Sequence, residues 1–367
     1  MAQTPYRFKT IKYAGKDSSA LYRDLKRIKT LYFSLNHISR FGNSRLLIKA
    51  FILLSITATA YYLTLTATSY LVLQFSYFIL GAACVVIGMT FGHDAAHHCL
   101  TGNKKTDDAL FEIIFGLQGI NGYMWRVRHN NSHHPFPNVH EYDSDLEISS
   151  LLFLDTTRQK KWIHLYQHVY APFLYMFFSL MWIFYIDFIL FRKKQLANME
   201  VIHHRRIELI KLLVFKFLTL AIFLFIPLAL SPLPGFLIVL SFVVMHLINS
   251  MLLTFTFFIS HHVGETTYAS PANNSIDTSW LERQIAATMD FHAESKVANL
   301  IFGGFNAHLA HHLFPDVCHI HYPVLSSLIK QSLKEHNIKY NSLNFFKAVW
   351  SHLTLLKRLP RTMGTLA

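Results

Sequence analysis

Four long apolar runs constrain this chain more than any other feature. Residues 46–66, 70–91, 212–230 and 235–259 are each about 20 residues of mainly hydrophobic side chains. At about 1.5 Å of rise per residue, a helix of that length crosses the roughly 30 Å hydrocarbon core of a bilayer. The runs come in pairs. The break around Ser69 and the turn Ser231-Pro232-Leu233-Pro234 are short enough only for tight hairpins. Lipid offers no partner to a backbone N–H or C=O, and a helix satisfies its own. The expected fold is therefore an all-α integral membrane protein with four transmembrane helices in two hairpins.

A fifth apolar run, 169–191, sets a problem of topology. If it crossed, the basic segment 192–206, with Arg192-Lys193-Lys194 and His203-His204-Arg205-Arg206, would lie outside, against the positive-inside rule. Asp187 and the dense aromatics of this run suit a helix lying in the interface. Both termini and all the polar segments then share the cytosolic side. The expected divisions are a cytosolic N-terminal arm at 1–45, hairpin 1 at 46–91, and a cytosolic segment at 92–168. An interfacial helix with the basic segment follows at 169–207, then hairpin 2 at 208–260 and a cytosolic helical cap at 261–367. The arm has no apolar core of a signal peptide. Its stretch 18–38 is expected to lie along the membrane surface as a basic helix.

Composition agrees: 52% of residues are hydrophobic and 15% charged, with 32 Phe and 17 Tyr. The net charge of +13 reads as the Lys/Arg excess of cytosolic membrane segments. No basic run is interleaved with aromatics as a single-strand binder requires, so nucleic acid is not an expected partner. The 3 cysteines, Cys84, Cys99 and Cys318, include no CxxC, which excludes a disulfide framework and a thiolate metal site.

Histidine is the unusual count, at 23. His93 and His97 are spaced to share one face of a helix, the spacing by which two imidazoles bind one metal. His129 and His133 repeat it, with His134 adjacent. His308, His311 and His312 form a third such face; Gly303-Gly304 breaks the chain before it, Asn306 is placed to cap it and Pro315 stops it. The hairpins deliver all three clusters to one side of the membrane. The pair His261-His262 falls where the fourth run leaves it, and one of the two is a further candidate ligand. So many imidazoles suit two ions rather than one. Imidazole nitrogen accepts iron, copper, zinc or nickel. Asp94, beside His93, and Asp143 and Asp145, after the second cluster, are placed to orient liganding rings or to sit solvated. His98 reads as an outer partner or a solvent-facing ring. His246 and Asn249, polar groups within the fourth span, are functional candidates by their position or hydrogen-bonding groups between spans, the second being the preferred reading, and the lone ExxH from Glu200 to His203 reads as chance. The other histidines, His319 and His352 among them, have no metal spacing and read as basic face or core. A zinc hydrolase would need a Glu base in the first cluster, where Asp94-Ala95-Ala96 stands instead. A metal transporter would place ligands along the spans rather than at their ends.

Boxes of the form HDxxH, HxxxHH and HxxHH between paired spans resemble the membrane fatty acid desaturases. The resemblance runs from about residue 91 to 330 and includes local detail. Residues 125–145 look like the family's second box with its trailing Pro137-Asn138 and acidic run, and 258–265 like its isolated fourth-span histidine followed by Glu265. Gly303-Gly304-Phe305-Asn306 before the last box, and the stretch from Leu313-Phe314-Pro315 to Tyr322-Pro323 after it, look like the linoleoyl-CoA desaturase branch. The resemblance implies an O2-dependent enzyme with two iron ions that inserts a double bond into an acyl-CoA or acyl-lipid chain. A hydroxylase on the same scaffold is the alternative. It implies metal ligation by nine histidines: His93, His97, His129, His133, His134, His261, His308, His311 and His312, with an asparagine acting through water. No catalytic residue is implied beyond these ligands. It also implies a dry tunnel between the spans whose depth sets the bond position. Front-end members usually carry Gln at the position of His308, and many carry a fused cytochrome b5 domain. This sequence holds no His-Pro-Gly-Gly haem signature, so a separate donor of cytochrome b5 or ferredoxin type is implied. The expected location is a bacterial inner membrane with the active site on the cytosolic face. Lys104, Lys105, Arg126, Arg128, Lys160 and Lys161 offer a basic surface for an acyl-CoA phosphate or an acidic donor, or are positive-inside charge.

Overall fold

Asn43 starts the first span: its side chain accepts the backbone N–H of Arg45 and Leu46, two of the donors a helix start leaves unpaired. Ser69 does the same for the second span at Val72. The computed structural model describes residues 6–9, 11–15, 19–147 and 149–362. Among them, the helices Ser44–Thr66, Tyr70–Ala96, Arg206–Leu230 and Gly235–Ile259 are long and apolar enough to cross a membrane. The four pair as two hairpins, as expected.

The second and fourth spans form the centre. Leu73 and Tyr77 pack on Ile238, Phe242 and Met245. The two backbones approach closely at Gly81, where a Cβ would stand 1.7 Å from Nδ2 of Asn249. The first and third spans flank this pair and leave Phe51, Leu54, Leu213 and Phe217 exposed, as lipid-facing positions require.

The fifth apolar run is not one straight helix. Trp162–Met176 and Phe178–Arg192 are bent by 67° at Phe177, a broken element rather than a fifth straight crossing. Its Asp187 is buried instead of lying at an interface. The carboxylate accepts from Nζ of Lys216 at 2.6 Å, from Nε1 of Trp182 at 2.8 Å and from the backbone N–H of Asn121 at 2.8 Å. These bonds tie the broken helix to the third span.

The polar cap is stapled by three short strand pairs: Tyr6–Phe8 with Met199–Ile202, Lys12–Tyr13 with Ser275–Ile276, and Asp290–Phe291 with Ser342–Leu343. Of the expected surface helix, Ser18 lies outside the described residues. The helix seen, Ala20–Leu35, buries Leu21 and Leu25 in the cap core with Leu309, Phe314, Leu325 and Ile329. It is therefore docked on the cap along that face.

Candidate metal centre

The second span does not end where its apolar run does. It passes through a π-helical turn, Gly88–Gly92, and continues to Ala96, so His93 leaves the membrane on a helix. His97 closes that helix. The second box is also π-helical, over His129–His133, with the backbone N–H of His134 bonded to the carbonyl of His129 at 2.9 Å. A five-residue closure places His134 over His129, and their Nε2 atoms stand 3.0 Å apart. The third box begins after Gly303 and Gly304, both at positive φ, and runs as His308–Leu313. Asn306 does not cap it; its Nδ2 donates to the carbonyl of His292.

All nine expected histidines converge. His93, His97, His129 and His311 form one group and His133, His261, His308 and His312 a second; within each, the ligand nitrogens lie within 4.8 Å of one another. His134 forms a further group with His311 and His312, between the two. His262 stays outside, with its Nδ1 at the hydroxyl of Tyr268. His98 turns to the surface and pairs with Asp108 at 2.8 Å.

The rings are held from behind. Nδ1 of His261 donates to the carbonyl of Ala287 at 2.9 Å, Nδ1 of His312 to Oε1 of Gln284 at 2.8 Å, and Nδ1 of His133 to Asp143 at 3.2 Å. Each bond fixes the tautomer that leaves Nε2 with its lone pair. Those three Nε2 atoms then face one another, at 3.0 Å between His133 and His261 and 3.2 Å between His312 and His261. Lone pairs converging without a proton between them repel unless a cation lies among them. In the first group, Nε2 of His93 and of His311 are buried with no hydrogen-bond partner among the described residues. The donor set therefore fits a pair of nitrogen-bound metal ions.

Electrostatics agree. Burial, followed by the neighbouring imidazoles, holds His97, His129, His134, His261, His308, His311 and His312 well below the ordinary imidazole pKa, so all are neutral at neutral pH, the state in which an imidazole can bind a metal. His133 differs: burial pushes it down, but Asp143 and Asp145 outweigh that and raise it.

Asp94 is the departure. It neither orients one of the nine rings nor sits solvated. Buried, it accepts from Nδ1 of His319 at 2.6 Å, from the backbone N–H of His319 and from Sγ of Cys318. Nε2 of His319 in turn lies 3.4 Å from Nζ of Lys49 on the first span. The expected basic surface is also reduced. Arg126 pairs with Asp108, Arg128 is buried against Asp145, and Lys160 is buried with Nζ donating to the carbonyl of Pro360.

A narrow apolar cavity starts at His93 and His129 and descends between the second and fourth spans past Met89, Val85, Phe257 and Leu253. A second cavity shares Val85, Gln118, Ile120, Trp182 and Leu253 with it and reaches Gly81, Met245 and His246. The two cavities adjoin along these shared residues, below the imidazoles. From His93 to Gly81 the helix rise is about 18 Å at about 1.5 Å per residue.

Comparison with known proteins points the same way. The chain is 28% identical over 361 residues to an acyl-lipid (8-3)-desaturase of Physcomitrium patens, covering 96% of this chain and 74% of the relative. It is 27% identical over 357 residues to an sn-1 linoleoyl-lipid 6-desaturase of Arthrospira platensis, covering 95% of each. A protein of the latter name from Synechocystis is 29% identical over 273 residues, 74% of this chain and 75% of that one. The sequence profile of the family described as fatty acid desaturase matches residues 67–344, which take in all three boxes and the residues named along both cavities, and the chain accordingly belongs to the fatty acid desaturase family of integral membrane oxidoreductases.

Proposed function

We propose that this desaturase works with two iron ions held by the nine histidines, and that it introduces a double bond into an acyl chain carried on a membrane lipid. The observation that carries the metal assignment is the pair of buried four-imidazole groups at the head of the tunnel. His93, His97, His129 and His311 would hold one ion, His133, His261, His308 and His312 the other, with His134 between them. Relatives named for acyl-lipid substrates support a lipid-borne chain over a CoA ester. Iron, when bound, supplies O2 activation and hydrogen removal from methylenes that have no acidic proton.

The protein's own residues have three tasks. Asp143, Gln284 and the carbonyl of Ala287 hold a proton on Nδ1 of their histidines and keep the other nitrogen free. Trp125, Phe257 and Phe305 line the tunnel beside the imidazoles and exclude water there. Below them, Val85, Met89 and Leu253 guide the chain so that its methyl end points into the membrane and its head group stays at the cap. Electrons come from a separate donor protein, of cytochrome b5 or ferredoxin type, at the cytosolic face of what we place as a bacterial inner membrane.

The test is expression in a host with a suitable reductase, followed by gas chromatography–mass spectrometry of its fatty acids beside a His311→Ala control. A new unsaturated species that the control lacks is expected, together with about two irons per purified chain. A hydroxylated product would transfer the chain to hydroxylation on the same scaffold. Purified protein without iron would end the metal assignment.

A further inference from the structure

A wide apolar groove lies between the first, second and third spans, beside the two cavities. Leu47, Leu54 and Tyr61 of the first span, Leu80 and Ile87 of the second and Ile222 of the third line it. Its volume is about 1000 Å³, at the upper end of the range for small-molecule sites. The end nearest the cap is polar, with Asn43, Ser44 and Thr101. Arg45, Lys104 and Lys105, close to them in sequence, are exposed and make no ion pair among the described residues. A membrane lipid with an acidic head group fits both ends, with apolar walls for a chain and cations for a phosphate.

One residue joins this groove to the cavities below the imidazoles. Gln118 lines the groove, the cavity that starts at His93 and the deeper one at Gly81, and no other lining residue is shared by all three. Its backbone is fixed. It ends the helix Lys104–Leu117, and the N–H groups of Gly119 and Ile120 close on the carbonyls of Gly116 and Phe115 at 2.9 and 3.0 Å. Gly119, at φ +76°, makes that turn. The side chain is not fixed. Its amide has no hydrogen-bond partner among the described residues and packs against the bare backbone of Gly88, where a Cβ would stand 2.8 Å from Oε1. An amide held by contact alone swings by rotation about its side-chain bonds, without moving the helix.

We propose that the groove docks a membrane lipid with an acidic head group, and that Gln118 gates the passage of its acyl chain from the groove into the cavities below the imidazoles. The inference rests on the reading of those cavities as the acyl site and adds the route into them. At the cap end, the cavity that starts at His93 is walled by Arg128, Asp145 and His262, all buried. A chain that enters sideways never passes its methylenes through water, where each would be costly.

The experiment places the full-length protein in nanodiscs containing a phosphatidylglycerol with a methanethiosulfonate group at the end of one acyl chain. Val85→Cys, on the wall of both cavities, reports arrival of the chain, in a Cys84→Ser background that removes the native thiol between groove and cavity. Labelling is read by mass spectrometry, and iron content and thermal unfolding show that each variant is folded. Gln118→Trp is expected to slow labelling roughly tenfold, equivalent to about 1.4 kcal/mol on the barrier to entry. Gln118→Ala is expected to hasten it. Ala58→Trp narrows the groove from the first span without touching either cavity, and is expected to slow labelling too; it decides the matter if Gln118→Trp does not fold. Wild-type rates in the folded Trp variants would bring the chain in from the cap and overturn the proposal. Labelling of a retained Cys84 with none of Val85→Cys would make the groove a seat for bulk lipid and overturn it equally. The same label on a neutral-headed lipid is expected to arrive more slowly, and equal arrival would overturn the acidic head group. If the wild type makes no double bond from any lipid, the desaturation reading fails while labelling still decides the route.

Discussion

Nδ1 of His133 lies 3.2 Å from both carboxylate oxygens of Asp143, and its Nε2 lies 3.0 Å from Nε2 of His261. One imidazole is thus held from behind by a charge and turned toward the cluster. The carboxylate is itself fixed, since it accepts the backbone N–H of Asn138 and of Asp145 at 2.9 Å each. Asp143→Asn keeps the shape and removes the charge. Loss of such an outer partner typically costs 10–100-fold in metal affinity or activity. A fall of about that size in double-bond formation, with iron content reduced, is expected from product analysis and metal assay on one preparation. Full iron with wild-type turnover would show that the contact does not tune the ligand.

His311 belongs both to the group with His93, His97 and His129 and to the group with His134 and His312. Removing it disturbs more of the centre than removing any ring at the edge. His311→Ala is expected to abolish product and to lose at least one iron per chain. His98→Gln alters only the link to Asp108 at the surface and is expected to retain both iron and product. Equal loss in the two variants would mean that the clusters do not mark the centre.

Much of this site was legible because its information is local. Histidines spaced at i, i+3 and i+4 announce a shared face, and apolar length announces a span. The nine rings and the four spans follow from that, with the choice of His261 over His262 resting partly on family resemblance. What was not legible depends on distant partners. Gln284 and the carbonyl of Ala287 carry no sequence signal of contact with His312 and His261. His319 meets Asp94 across 225 residues, so its lack of local metal spacing concealed a buried polar role. The π turns at Gly88–Gly92 and His129–His133 escaped for another reason: an i, i+4 pattern fits them nearly as well as an α-helix. Asp187 looked interfacial because its partner Lys216 lies in the next span.

That ion pair gives a stability prediction. The side chains of Lys216 and Asp187 are 8% and 1% exposed, with nitrogen and oxygen 2.6 Å apart. Lys216→Met leaves a buried carboxylate without its counter-charge, at a cost of about 3–5 kcal/mol. The double variant Asp187→Leu with Lys216→Met removes both charges and is expected to recover most of that loss. Thermal unfolding in detergent micelles reads both. A single variant as stable as wild type would remove the pair from the account of the broken helix.

Asp155 sets an acid limit in the cap. Burial pushes its carboxyl up, but hydrogen bonds from His140 and Thr157 outweigh burial and hold it at about 2. Because the folded value lies below the roughly 3.9 of a free aspartate, the stabilisation is complete above that pH. It disappears as pH falls from about 4 to about 2. Asp155→Asn is expected to unfold more readily at neutral pH and to flatten the profile in that acid window. An unaltered slope there would assign the acid sensitivity to other carboxylates.

Val85 offers the most direct control of the tunnel. It lines both the cavity that begins at His93 and the one that reaches His246, and it packs with Met89, Leu253 and Phe257 between them. Enlarging it narrows the passage without touching the imidazoles. Val85→Phe is expected to cost about 1–3 kcal/mol through overpacking, which the wall can absorb in part by shifting Leu253. A chain whose methyl end must pass this point is then excluded, while a shorter chain still reaches the head of the tunnel. The expected outcome is unchanged iron content with a shift of product toward shorter acyl chains, read by mass spectrometry of total lipids. Equal loss for all chain lengths at full iron content would place the acyl path elsewhere, the wide groove beside the first span being the next candidate, since it is lined by Leu46, Leu80, Ile87 and Gln118.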